Sequence, residues 1–282
     1  MKVAVSGAQG FFGRHVTSAL VRAGAEPTCW IRPSARNERM QFRHPTIAID
    51  ILDPPSRVFD RLGRPDALIH LAWGGLSNYT SPRHVVQELP AHEALLTQMV
   101  GDGLSNLVVA GTCFEYGMQS GALAETAEAA PVNAYAIAKD TLRRRLQALQ
   151  IERPFLLTWA RLFYLRGDGQ AASALLPQLQ KALDTGATTF PMSGGEQVRD
   201  YLPVEEAADD LVRLALAQRD HGIVNVCSGQ PITVRALVES WLAEHGKSIA
   251  LDLGRYPYPA HEPMAFWGDD TKLRQCLRAT MH

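Results

Sequence analysis

Short apolar runs alternate with longer amphipathic stretches along most of the chain. KVAVSG, from Lys2, is apolar enough to be a strand buried on both faces, and the apolar spacing in residues 11–23 predicts the helix that follows it. The same reading predicts strands at 27–31 (PTCWI), 46–49, 67–72, 106–111, 155–162 and 223–227. Helices are expected at about 84–100, 135–150 and 205–217. Alternation of this kind predicts an α/β fold, a doubly wound parallel (Rossmann) sheet with its ligand crevice at the carboxyl ends of the strands.

Residues 166–198 interrupt the pattern with GDGQ, a helical AASALLPQLQKALDTG and the turn-rich PMSGGEQ. After about 228 come another helical stretch, TVRALVESWLAEHG, and a Pro- and Tyr-rich loop, RYPYPAHEP. The expected organisation is a nucleotide-binding core over 1–165, completed by about 199–227. Residues 166–198 and 228–282 form a smaller, substrate-binding lobe closing over the crevice.

Gly7, Gly10 and Gly13 follow the first strand directly and open a helix. In that position glycines permit a tight turn, let backbone approach a pyrophosphate and let helix pack on strand, with the phosphates at the helix N-terminus. The spacing is G-x-x-G-x-x-G, looser than the commonest dinucleotide fingerprint. Where the second strand ends, an NAD site usually places an acid for the ribose 2′-hydroxyl; here CWIRPSAR supplies Arg32, Ser34 and Arg36 instead. Cations there suit a 2′-phosphate, so NADP(H) is favoured, with NAD(H) the alternative. Asp50, ending the third strand, is a candidate for the adenine amino group or an ordinary turn residue.

The charge balance narrows the partners. Lys and Arg number 28 against 29 Asp and Glu, with no block of one sign, so neither nucleic acid nor an anionic membrane surface is expected. No apolar stretch approaches the length of a membrane span. The four cysteines, at 29, 113, 227 and 276, lack paired spacing, which argues against zinc and disulfides and for reduced thiols in a cytoplasmic protein. No metal site is expected.

Thr112 ends the strand in AGTCFEYG, and Tyr135 and Lys139 stand four apart in NAYAIAKD, on one helix face. With the N-terminal glycines, HLAW (70–73), VRDYLPVEEAADDLV (198–212) and WGDDTKLRQCL, these residues resemble the extended short-chain dehydrogenase/reductase family, in its NAD(P)-dependent sugar-epimerase/dehydratase branch. The resemblance implies that Tyr135 exchanges a proton with a sugar oxygen while hydride passes to or from a nicotinamide. Lys139 would lower the phenol pKa and hold the ribose, and Thr112 would give the oxygen a second hydrogen bond. It extends the cofactor set to Gln9, Phe11, Phe12, Ile51, Leu71, Ala72 and Trp73. A nucleotide-sugar substrate would be met by Thr112, Cys113, Phe114, Tyr164 and Arg199. A homodimer formed through the two helices at 84–100 and 135–150 is also implied, with Leu95, Leu96, Met99, Leu142, Leu146 and Leu149 available to it or to the protein's own core.

The departures from the family are informative. A sugar-nucleotide dehydratase carries an acid pair after the hydroxyl residue; this chain has Cys113 and Phe114, and a phenyl ring transfers no proton. Glu115 is one place too late and, in an extended segment, would face the other way as a turn or surface acid. Cys113 is an epimerising base or, more simply, a buried thiol. Glu88 stands where the family often has asparagine, and Tyr164 replaces the asparagine of R-x-F-N. Arg199 matches an arginine that holds the substrate pyrophosphate; a structural ion pair, near Asp200 or with Glu205, is its other reading. GTCFEYG and HLAWGGLSNY look most like reductases of nucleotide-linked 4-keto-6-deoxyhexoses. A 4-epimerase with tightly held NAD is the alternative enzyme, and a non-catalytic dinucleotide sensor would have no need of all three of Thr112, Tyr135 and Lys139.

Overall fold

The computed structural model describes residues 1–33, 44–258 and 262–279. In chain order, β1 (Lys2–Ser6) passes through the glycine turn into α1 (Phe11–Arg22) and β2 (Glu26–Ile31). β3 (Thr46–Ala48), the short α2 (Val58–Arg61) and β4 (Ala67–His70) follow. A π-helical turn, His84–Glu88, leads into α3 (Leu89–Gly101); then come β5 (Asn106–Thr112), a 3-10 turn (Cys113–Tyr116), β6 (Gly121–Leu123) and α4 (Ala134–Glu152). The remainder is β7 (Leu156–Leu162), β8 (Tyr164–Arg166), α5 (Leu175–Asp184), β9 (Thr189–Pro191), β10 (Val198–Pro203) and α6 (Val204–Leu216). It ends with β11 (Gly222–Val226), β12 (Pro231–Thr233), α7 (Val234–Glu244), β13 (Ala250–Asp252), β14 (Phe266–Gly268) and α8 (Thr271–Arg278).

Seven strands form one parallel sheet in the order β11-β7-β5-β4-β1-β2-β3, which is the doubly wound arrangement expected. Both faces are covered, which is why the strands read as continuous apolar runs. α3 and α4 lie over Leu68, Leu107, Val109 and Trp159, with Leu95, Leu96, Met99, Leu142 and Leu146 in that layer. α1 and α6 cover Val3, Val5, Ile69 and Val108. The leucines proposed for a dimer contact are therefore core: Leu95, Leu96, Met99, Leu142 and Leu146 are all 1% exposed or less, and Leu149 packs partly buried beside them.

The stretch read as one helix over 84–100 begins as a π turn instead. Pro90 has no N–H, so an α-helical ladder crossing it loses a bond, and the backbone widens in the turn before it. The three-residue strands β6, β8, β9, β12, β13 and β14 were not visible in the sequence. Each pairs with a distant partner: β14 with β6, β13 with β9, and β12 and β8 with β10. α5, β9, α7 and β13 share an apolar cluster of their own around Leu179, Phe190, Met192 and Val238.

Among the described residues no helix is long and apolar enough to cross a membrane, no group of three or more His, Cys, Asp or Glu is placed to hold a metal, and the four cysteines are free.

Candidate active site

At the carboxyl end of β1 the chain turns through Gly7 at φ 72°, a conformation that favours glycine. The Gly7 N–H donates to the Trp30 carbonyl (3.1 Å) and the Gly10 N–H to the Gly7 carbonyl (2.9 Å). A Cβ on Gly13 would stand 2.1 Å from the Gly7 carbonyl oxygen, and one on Gly7 would meet the Ala72 amide at 3.0 Å. The glycines therefore bring α1 onto β1 closer than any side chain allows, and the β1 turn onto the end of β4 closely enough to crowd one. Gly10 caps α1 with no side chain bonded to its first amides. Phe11 and Phe12 are half-buried in that first turn, and the buried Oε1 of Gln9 has no partner among the described residues. An uncapped helix start and a cradle without side chains together fit a dinucleotide pyrophosphate, while the Gln9 oxygen, an acceptor, suits a hydroxyl rather than a phosphate.

Arg32 lies exposed at the end of β2. Ser34 and Arg36 fall outside the described residues. Asp50 is exposed and its Oδ1 accepts from the Leu52 amide (3.0 Å), the turn role foreseen for it, with Ile51 buried beside it.

β5 delivers Thr112, 6% exposed, to the same end of the sheet. α4 starts at Asn133, whose Oδ1 accepts from the Ala136 amide (2.9 Å), and its first turn carries Tyr135. The Tyr135 amide donates to the Tyr79 carbonyl (3.0 Å), tying the helix start to the loop after β4. One turn on, Lys139 is 1% exposed; its Nζ donates to the Ala110 carbonyl (2.8 Å) and sits 4.0 Å over the Trp73 ring. The Thr112 hydroxyl accepts from the Phe114 amide (3.3 Å) and lies near enough to the Tyr135 phenol to pull its pKa down. The structure thus brings Thr112, Tyr135 and Lys139 together beside Leu71, Ala72 and Trp73.

The electrostatics differ from expectation. Burial, with Tyr79, Glu115 and Cys113 nearby, pushes the Tyr135 phenol well up; the nearby Thr112 hydroxyl pulls it down. Burial likewise brings Lys139 down to about 7, against the pull of Glu115 and Glu88. In this closed arrangement desolvation outweighs the cation's effect on the phenol, because Lys139 faces Trp73 and the Ala110 carbonyl, with its Nζ 5.9 Å from the Tyr135 ring centre.

The wall opposite is aromatic. Tyr79 stacks on Tyr135 (5.3 Å) and meets Phe114 (5.2 Å), which in turn meets Tyr164 (6.2 Å). Cys113 is 5% exposed, and burial, reinforced by Glu262, pushes its thiol up, so it remains a protonated thiol packed near Tyr116, Leu123 and Phe163.

Glu115 lies in a turn, as foreseen, but is no surface acid. The segment is a 3-10 turn rather than extended chain, which swings the side chain inward to 0% exposure. Its carboxylate accepts from the Thr112 amide (2.9 Å), Trp159 Nε1 (2.9 Å) and Arg161 Nε (2.8 Å), forming a capping box beneath Thr112. Arg199, 2% exposed, donates to the Val198 and Met264 carbonyls and pairs with Glu262 (2.9 Å), which also accepts from the Tyr164 hydroxyl; its partner is not Glu205. Asp200 clasps the amides of Ser228, Gly229 and Gly268. Tyr79 and Glu262 escaped the sequence reading, since loop residues brought together by folding carry no periodic signal; so did His84, in the π turn, whose ring meets Tyr135 (5.4 Å) and whose Nδ1 accepts from Trp73 Nε1 (3.0 Å).

Several known proteins resemble this chain along most of its length. A dTDP-6-deoxy-L-talose 4-dehydrogenase (NAD(+)) of Aggregatibacter actinomycetemcomitans is 29% identical over 271 residues, covering 95% of this chain and 99% of that protein. A dTDP-6-deoxy-L-talose 4-dehydrogenase (NAD(P)(+)) of Kitasatospora kifunensis is 27% identical, over 92% of this chain and 83% of its own. Among solved structures, a UDP-glucose-4-epimerase from Stenotrophomonas maltophila with bound NAD superposes with a TM-score of 0.85 at 19% identity, over 99% of this chain and 92% of that one, a likeness of fold. The profile of the NAD dependent epimerase/dehydratase family matches residues 3–227, from the first strand of the sheet to its last, and the chain belongs to that family.

Proposed function

We propose that the protein is an NAD(P)-dependent oxidoreductase acting at carbon 4 of a nucleotide-linked 6-deoxyhexose, working as a reductase of the 4-keto sugar. One observation carries the reading: Thr112, Tyr135 and Lys139 converge at the strand ends while the two positions after Thr112 hold a buried thiol and a phenyl ring, neither of them an acid. A bound nicotinamide supplies hydride chemistry at such a site. The chain's part is to orient the carbonyl through the Thr112 hydroxyl and to deliver a proton from Tyr135 to the sugar oxygen. The aromatic wall of Tyr79, Phe114 and Tyr164 suits a sugar whose carbon 6 bears only hydrogen. The relatives named as 6-deoxytalose 4-dehydrogenases support the substrate class, and their named reaction is this one read in the oxidising direction.

The test is a panel of dTDP-, GDP-, CDP- and UDP-linked 4-keto-6-deoxyhexoses with NADPH and NADH, following absorbance at the nicotinamide band and identifying products by NMR. Stoichiometric cofactor consumption with a 4-hydroxy product supports the proposal. Purified protein carrying bound NAD and inverting carbon 4 without net consumption would make it an epimerase.

For the cofactor we favour NADP(H), on the exposed Arg32 at the end of β2. Arg32→Ala should weaken NADPH by about 1–3 kcal/mol, the worth of a charge-assisted hydrogen bond, and leave NADH nearly unchanged. Equal losses would refute the preference.

A pH dependence follows from Lys139. Its proton is lost as pH rises through about 7, and with it the positive charge that steadies negative charge developing at Tyr135. In the reducing direction kcat/KM, which reports the free enzyme, should therefore fall on the alkaline side of about 7. A flat profile between about pH 6 and 9 would contradict this.

We further propose a homodimer. Apolar side chains left exposed beside the α3–α4 layer include Val85 and Val86 in the π turn and Ile137 and Ile151 on α4. Light scattering should return twice the chain mass; a monomer at micromolar concentration would count against the dimer.

A further inference from the structure

Beneath the floor of the site runs a line of buried polar side chains that the chemistry above leaves unused. Ser6 and His70 are 0% exposed, His92 1% and Glu88 3%. Ser6 Oγ lies 2.8 Å from His70 Nδ1, His70 Nε2 lies 2.7 Å from His92 Nδ1, and His92 Nε2 lies 3.3 Å from Glu88 Oε2. At one end Glu88 also accepts from the Gly74 amide (2.9 Å) and from Arg83 Nε (2.9 Å). At the other, Ser6 Oγ accepts from the amides of Leu71 (3.2 Å) and Ala72 (3.3 Å). The face of His92 stacks on Trp73, ring centres 4.5 Å apart, and Trp73 carries the Lys139 ammonium on its ring.

The line has a direction. Burial pushes both imidazoles down, so each is neutral near pH 7 and offers one donor and one acceptor. Burial works to raise Glu88 too, but the bonds from His92, Gly74 and Arg83 prevail and hold it at about 2, a carboxylate that only accepts. His92 must then donate from Nε2 and accept at Nδ1. His70 must do the same, and the Ser6 hydroxyl must donate to His70. Both lone pairs of Ser6 are thereby left for Leu71 and Ala72. A carboxylate at the head of α3 dictates, two imidazoles away, how the end of β1 grips the end of β4.

We propose that His92 is a positioning residue for the dinucleotide site: as the middle of this one-way hydrogen-bond line it locks the Leu71–Trp73 turn against the glycine turn. The proposal rests on reading the glycine turn as the dinucleotide cradle. It requires no contact between His92 and any ligand, and the stack on Trp73 extends its hold to the residue facing Lys139.

Nitrogen NMR of histidine-labelled wild-type protein tests the line directly. Both rings should be neutral with the proton on Nε2; a proton on Nδ1 of either would overturn the proposal, and this measurement stands even if a variant fails to fold. His92→Phe keeps a ring against Trp73 and removes both nitrogens. Its dissociation constant for NADPH or NADH, whichever the wild type binds tighter, should rise about ten-fold, the size of one hydrogen bond's net contribution. The loss should appear in the cofactor KM more than in kcat. His92→Gln, which retains a donor and an acceptor, should recover much of the affinity. Wild-type affinity in His92→Phe, or no recovery in His92→Gln, would sink the proposal. Wild-type protein that binds NADPH yet reduces no 4-keto sugar would remove the proposed function and leave this inference standing; failure to bind either dinucleotide would remove both.

Discussion

Tyr135→Phe is expected to cut kcat by about 10²–10⁴ while leaving dinucleotide binding nearly intact. Hydride arriving at a ketone leaves an alkoxide, which needs a proton from a positioned donor at hydrogen-bond distance. Tyr135 is the phenol beside Thr112 in this site, and its burial keeps it protonated until that moment. The substitution removes one oxygen from a ring held by Tyr79, Trp73 and His84, so packing survives and the loss reads as chemistry. On the proposed function, in which Lys139 also holds the nicotinamide ribose, Lys139→Ala should behave differently and harm both binding and rate. A Tyr135→Phe enzyme with wild-type kcat would overturn the assignment. So would formation of a 4-keto-6-deoxy product from a 6-hydroxylated sugar nucleotide, because that chemistry needs the acids that Cys113 and Phe114 replace.

Glu115→Ala should cost about 3–5 kcal/mol of folding stability, the usual result of breaking a buried ion pair from one side. Arg161 is 1% exposed and its Nε donates to Glu115, while its Nη1 has no partner among the described residues. Without the carboxylate a guanidinium is left buried with little to balance it, and the Thr112 amide and Trp159 Nε1 lose their acceptor as well. Urea denaturation measures the loss directly. Glu115→Gln, which keeps an acceptor oxygen but no charge, should fall between the two; a loss below about 1 kcal/mol in Glu115→Ala would show that Arg161 finds compensation elsewhere.

Much of this arrangement could be read from the chain. Parallel strands buried on both faces announce themselves as apolar runs, so the strands of the central sheet were legible, as was their pairing with helices into a doubly wound fold. Residues bound to local geometry were legible too: the glycines of the first turn, and Tyr135 with Lys139 one helical turn apart. What stayed hidden depends on contacts between distant segments. Glu115 was misplaced because its role follows from a 3-10 turn and from Trp159 and Arg161 on another strand. The leucines of α3 and α4 were ambiguous because an apolar helix face looks alike whether it meets its own sheet or a second subunit. The pairing of Arg199 with Glu262 and the alignment of His70 with His92 unite side chains that no periodicity links. The expected lowering of the Tyr135 phenol overlooked desolvation, which only a folded interior imposes.

The order of strands in the sheet bears on how the chain is made. β1, β2, β3, β4 and β5, with the helix that carries Tyr135 and Lys139, all lie before residue 153, so the middle of the sheet and one of its margins are available early in synthesis from the amino end. β7 then adds to β5, but its outer edge waits for β11, which emerges only after α5, β9, β10 and α6. In that interval LLTWARL, an apolar strand, presents an unpaired row of amides and carbonyls. A ribosome-bound chain paused there is the form most prone to pair with a neighbour, and a chaperone that recognises short apolar segments would have its clearest target in β7.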